Sequence, residues 1–136
     1  MKKIRTVGCF LEYKDTFLIL FRNKNKPYGH TWCLPSGKVE ESETDIQAML
    51  RELKEETGYN ASKEELDFLI EFSHEVDDTK IIFPTFRIQL KESISIKHNL
   101  QEHDTYKWVT AQECYNLSNL IPGFCDLLKE IGYIKK

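Results

Sequence analysis

Glu52, Glu55 and Glu56 stand three and four residues apart in the segment RELKEETGY, which should be helical. Residues at those separations share one helix face, so the three carboxylates project into one small volume. On a plain solvated helix such crowding of like charge is mildly destabilising. A divalent cation removes the conflict, because hard ions such as Mg2+ take carboxylate oxygens and bridge them to substrate phosphates. Arg51 lies one turn before Glu55 and can pair with it. Gly37, Glu43 and Gly58 complete the set. A charged amphipathic helix with i,i+4 pairs accounts for any two of the glutamates. It does not account for the two glycines, Glu43 and Arg51 at fixed distances.

Gly37, five residues, Glu43, seven residues and then Arg51 to Tyr59 is similar to the Nudix box, G-x5-E-x7-R-E-U-x-E-E-x-G-U with U apolar. Tyr59 is the one departure, being aromatic where the family usually carries an aliphatic residue. Seven fixed positions arise by chance at roughly one in 10^8 starting points. The resemblance is densest in the box and is expected to run through residues 1–136 as one domain. It implies an α+β fold, an α/β/α sandwich around a mixed β-sheet. It also implies hydrolysis of a pyrophosphate bond in a nucleoside diphosphate derivative, with Mg2+ as cofactor and Mn2+ as a substitute. Carried onto this chain, Glu52, Glu55 and Glu56 become metal ligands, joined by the backbone carbonyl of Ser36. Ser36 departs from the usual Gly-Gly pair, which a main-chain ligand tolerates if its φ is negative. Arg51 is expected to orient a catalytic glutamate by bidentate pairing, and Glu43 to brace the loop against the helix. Two general bases stay open, Glu52 as in MutT-like members and Glu102 in the loop before Trp108. His103 and Asp104 are weaker candidates.

Outside the box, Arg22 resembles a position used to contact substrate phosphates. Trp32, Phe83 and Phe86 can stack a base, although aromatic residues in strands more often fill a core. Asn119, before the last helix, can read a base edge. The Pro frequent in ADP-ribose hydrolases and the Tyr frequent in diadenosine polyphosphate hydrolases fall in a window that holds His74, Glu75, Val76 and Asp77 here. The upstream signature of coenzyme A hydrolases is also missing. The chain therefore most resembles compact MutT-like members, which turn nucleoside triphosphates into monophosphates and pyrophosphate. A nucleotide sugar or other diphosphate derivative is the alternative substrate, and a non-catalytic nucleotide-sensing module the alternative class.

These residues need elements to hold them. Residues 4–13 and 16–21 read as a hairpin about Lys14-Asp15, and residues 23–30 as a polar loop. Trp32 to Pro35 is extended because the residue before proline is pushed to β geometry, and Ser36-Gly37 leads into a short strand. A helix is expected from near Thr44, with Ser42 or Glu43 close to its cap, to Gly58. Ile46, Met49, Leu50 and Leu53 form its apolar stripe, with the carboxylates off that stripe. Residues 66–75 and 80–90 read as longer strands joined at Asp77-Asp78, with Pro84 marking an edge or a bulge. Residues 91–104 read as loop, 106–109 as a strand and Thr110-Ala111-Gln112-Glu113 as a capping box. Residues 122–132 read as a last helix between Pro122 and Gly132.

Composition narrows the partners. With 136 residues, 30% charged and 40% hydrophobic, the chain can bury a core. A net charge of −3 argues against a long nucleic-acid partner, which wants a basic face. A small nucleotide is compatible, since bound metal inverts the local charge. The N-terminal apolar run is about five residues, short of the ~7 of a signal core, and no stretch approaches the ~18 apolar residues of a membrane span. Cys9, Cys33, Cys114 and Cys125 lack metal-site spacing and read as reduced thiols of a cytoplasmic protein. Oligomeric state is not encoded in any of these features.

Overall fold

The computed structural model describes residues 1–135, which form a seven-stranded mixed sheet with helices on both faces. β1 (Lys2–Tyr13) and β2 (Thr16–Arg22) are the expected hairpin, turning through Lys14 at φ 57°. Their pairing stops after Glu12↔Phe17, and the two strands then diverge. Two short strands fill the fork: β3 (Trp32–Cys33) pairs with β2, and β4 (Ser36–Lys38) pairs with β1. The fork is therefore what presents Ser36 and Gly37. On its other edge β1 runs parallel to β6 (Thr79–Leu90), and β6 is antiparallel to β5 (Asp67–Val76). β7 (His103–Val109) pairs with β2.

Side chains alternate across a strand, so one hairpin feeds two cores. Val7, Cys9, Leu11, Leu18 and Leu20 pack with Ala48, Met49 and Leu53 of α1 (Asp45–Thr57). Phe10, Phe17 and Ile19 face the other way, towards Cys114 of α2 (Ala111–Tyr115) and Phe124, Leu127 and Leu128 of α3 (Phe124–Glu130).

The ends of α1 follow local chemistry. Thr44, rather than Ser42 or Glu43, is the cap: its hydroxyl accepts from the Gln47 amide at 3.1 Å, and the Gln47 side chain accepts from the Thr44 amide at 2.9 Å. Gly58 ends the helix at φ 79°, a conformation that suits glycine. The packing face differs from expectation. Ile46 is 40% exposed, whereas Glu52 and Glu56 are buried beside Met49 and Leu53. Glu52 and Glu56 thus share the inward side of the helix, because α1 packs against β4 of the fork as well as against β1.

Other differences are also tertiary in origin. Pro84 lies in an inner strand, not at an edge. The parallel ladder to β1 skips from Arg5↔Ile82 to Gly8↔Thr85, so the missing N–H falls in a gap. β7 begins at His103, three residues before the expected strand, because Arg22↔His103 extends its ladder with β2. A 3-10 turn at Lys63–Glu65 lies where no element is expected. α2 carries the expected capping box between Thr110 and Glu113. All four cysteines are free, with Cys125 partly exposed. Among the described residues no helix is long and apolar enough to cross a membrane.

Candidate functional site

A cavity of about 610 Å³ runs from the inward face of α1 to the face of β1, β6 and β5 that lies towards α3. Its two ends differ in chemistry. Glu52, Glu56, Glu102, Ser36 and Gly37 line one end together with Arg22, Lys26 and Lys38, while Phe72, Phe83, Ile81 and Leu127 line the other.

At the acidic end Glu56 is 5% exposed, and one of its oxygens accepts from the Ser36 N–H at 2.9 Å. Burial pushes its carboxyl well above the usual range, and Glu52 and Glu102 push the same way. Glu52 is also raised by burial, opposed by Arg51. Gly37 leaves room for the Glu52 carboxylate: a β-carbon there would lie 1.8 Å from its Oε2 and force it to move. Ser36 is not among the residues with positive φ, so its non-glycine side chain is accommodated.

Arg51 is the hub. Its guanidinium donates to both oxygens of Glu43, at 2.7 and 2.9 Å, and to the Lys38 carbonyl at 3.1 Å. Single bonds reach Glu52 at 3.0 Å and Glu55 at 3.4 Å. The bidentate partner is therefore Glu43, in the loop before the helix, and not a cavity glutamate. The pairing holds the Glu43 carboxyl down at about 2, helped by the Glu40 amide. The strap from Glu43 through Arg51 to Lys38 ties the loop and β4 to the helix.

Glu55 lies on the exposed side of α1 and does not line the cavity. Among the described residues no three His, Cys, Asp or Glu side chains already form a ligand cage. Arg51 engages Glu52 and Glu55 while Glu56 turns to the Ser36 amide. The donor set nevertheless fits a hard divalent cation: it is all oxygen, two members are buried, and their mutual repulsion is compensated only in part by Arg51.

Glu102 lines the cavity and pairs with Lys26 at 3.4 Å. His103 is buried beside it, with Nδ1 unpartnered among the described residues and Nε2 3.8 Å from the Cys33 sulfur, and burial lowers its pKa to about 4. Asp104 accepts from the Asn23 side chain instead. Arg22 lines the cavity, its Nε donating to the Pro27 carbonyl at 2.8 Å. Of the aromatic candidates only Phe83 lines it. Phe86 is buried in the α1-side core, and Trp32 packs on Phe21 with Lys107 over its ring. Asn119 also lies off the cavity, its side chain directed to the His30 carbonyl and its backbone accepting from Trp32. Lys26, Tyr28, Phe72 and His74 were not singled out by residue type alone. The signal for the first two is the Lys-Pro-Tyr run just after Arg22, and Tyr28 reaches across to Asp77.

A family model for the NUDIX domain matches residues 2–124. The phosphatase NudJ of Escherichia coli strain K12 is 30% identical over 115 residues, covering 85% of this chain and 73% of that protein. The crystal structure of a MutT protein from Methanosarcina mazei superposes with a TM-score of 0.84 at 25% identity, over 96% of this chain and 93% of that one. A bifunctional NMN adenylyltransferase/ADP ribose pyrophosphatase from Francisella tularensis, complexed with AMP and a Mn ion, aligns at 26% identity with a TM-score of 0.70. That alignment spans 96% of this chain and 42% of the larger protein.

Proposed function

The chain belongs to the Nudix hydrolase family, and from that premise we propose that it cleaves nucleoside triphosphates to monophosphate and pyrophosphate with Mg2+. Nudix hydrolases act on nucleoside diphosphate derivatives and generally use divalent metals, and Mn2+ should substitute here. The observation that carries the reading is one continuous cavity with buried carboxylates at one end and an apolar aromatic wall at the other. A phosphate chain suits the first and a base the second.

Glu52, Glu56, Glu55 and the Ser36 carbonyl would hold the metal, with Glu55 turning inward from its bond to Arg51. When bound, the cation supplies charge neutralisation at the phosphoryl oxygens and an activated water. Arg22, Lys26 and Lys38 line the cavity wall, which supports a role for them in binding phosphate oxygens. Arg51 and Glu43 keep β4 against α1, so the Ser36 carbonyl and the glutamates keep a common frame. Glu52 and Glu102 are both candidates to take the proton of the attacking water, since each carboxylate lines the cavity.

The test is a panel of nucleoside triphosphates, nucleotide sugars and dinucleotides with Mg2+, read by the phosphate species released. Pyrophosphate from triphosphates is expected. Turnover of nucleotide sugars alone would replace the substrate assignment, and turnover of none would favour a sensing module.

A further inference from the structure

The apolar floor of the cavity is built in rows. The strand register aligns Ile4, Ile81 and His74 across β1, β6 and β5, with Phe83 beside Phe72 in the next row. His74 is the one titratable side chain these three strands contribute to the lining. Its ring stacks on Phe72, with centroids 5.6 Å apart and planes at 27°. The backbone of Gly123 also lies against the ring, where a β-carbon would stand 2.8 Å from the imidazole Cε1. The glycine, at φ 91°, starts α3 and leaves room for the ring in the same step.

Packing therefore orients the imidazole, yet neither ring nitrogen makes a hydrogen bond to another described residue. Partial burial lowers its proton affinity, opposed by the charge of Asp126. A neutral imidazole carries one donor and one acceptor. Beside it the Phe83 ring lies over Gly8, where a β-carbon would come within 2.1 Å of the ring. A flat apolar floor with an aromatic face and one donor–acceptor pair matches a nucleobase. A second sugar would need more polar partners than Thr6 and His74.

We infer that His74 is the residue that reads the base edge of the bound nucleotide, with the base lying against Phe83 and the phosphates towards Ser36 and Glu56. The inference deepens the proposed nucleotide reading and rests on it. Its test uses the full chain and nucleoside 5′-monophosphates, which lack a pyrophosphate bond and are bound without turnover. Imidazole resonances and Kd are measured for AMP, GMP, CMP and UMP, with ribose 5-phosphate as the baseless control. The His74 resonances should shift with the monophosphates and not with ribose 5-phosphate.

His74→Phe keeps the stack on Phe72 and removes the nitrogens. It should weaken the monophosphates about tenfold, bring their affinities together and leave ribose 5-phosphate unchanged. His74→Asn, which retains a donor and an acceptor, should recover part of the loss. Absent monophosphate binding, unshifted His74 resonances with ligand bound, or equal losses for the monophosphates and ribose 5-phosphate would each overturn the inference. A chain that binds monophosphates through His74 but cuts no triphosphate would refute the activity and leave the base reader standing.

Discussion

The acidic end of the cavity takes Glu52 and Glu56 from a single helix, whereas the apolar end draws Ile4, Phe72, Phe83 and Leu127 from four separate elements. The first is held by a short-range network in which Arg51 links Glu43, Glu52, Glu55 and Lys38. The second is held by strand register and by glycines that make room for rings. Charge and hydrogen bonding dominate one end, shape the other. A polar site can thus be compact in sequence because helical spacing converges its groups, while a flat wall must be gathered from distant strands.

Perturbing the acidic end should have the largest effect. Glu56→Gln keeps the shape and removes the most buried charge of the set, so activity should fall by at least about 100-fold with the fold retained. Steady-state kinetics alongside thermal melting would show it, and near-normal kcat would break the link between this carboxylate and catalysis. Gly37→Ala comes next. The added β-carbon must displace the Glu52 carboxylate, and a loss of roughly tenfold or more in kcat is expected from such misplacement. Wild-type kinetics in that variant would show that the position of Glu52 is not demanded.

At the apolar end, Phe83→Ala should raise KM for nucleotides roughly tenfold with kcat nearly unchanged, as expected for loss of a stacking face. A fall in kcat with KM unaltered would erase the division of labour between the two ends. The smallest effect concerns pH. Glu43 is held down from the ordinary 4.5 to about 2 by Arg51, which stays protonated throughout. A depressed carboxyl contributes stability above its unfolded pKa and loses it as pH falls towards the folded one. Urea melts of wild type and Glu43→Gln should therefore differ constantly above pH 6 and converge as pH falls towards 2. A gap that stays constant to pH 2 would show that the Glu43–Arg51 pair does not stabilise the fold.

Much of the frame was readable in order along the chain. The β1–β2 hairpin, the Gly58 stop, the Thr110 box and the strands about Asp77-Asp78 all rest on signals a few residues long. Features that depend on a partner are less legible. Pro84 reads as an edge or a bulge; it lies inside the sheet, beside the register shift between Phe68 and Ile70, and the gap in its other ladder depends on β1. Ile46 fitted the apolar stripe and is exposed, because the sheet covers only part of α1. Trp32 and Asn119 have suitable chemistry for a base, but neither lines the cavity: Trp32 pairs with β2 and bridges to Leu120, and Asn119 turns its side chain to the His30 carbonyl.

Residue types and spacing alone converge the three carboxylates and place the arginine among them, since one helix needs no distant partner to gather its side chains; the class of bond is implied by the resemblance of that spacing to the Nudix box. Tertiary structure decided which of those carboxylates are buried, that Glu43 takes both arms of Arg51, and which rings face the cavity. Desolvation and strand register are properties of surfaces brought together by folding, and no local stretch of sequence contains them.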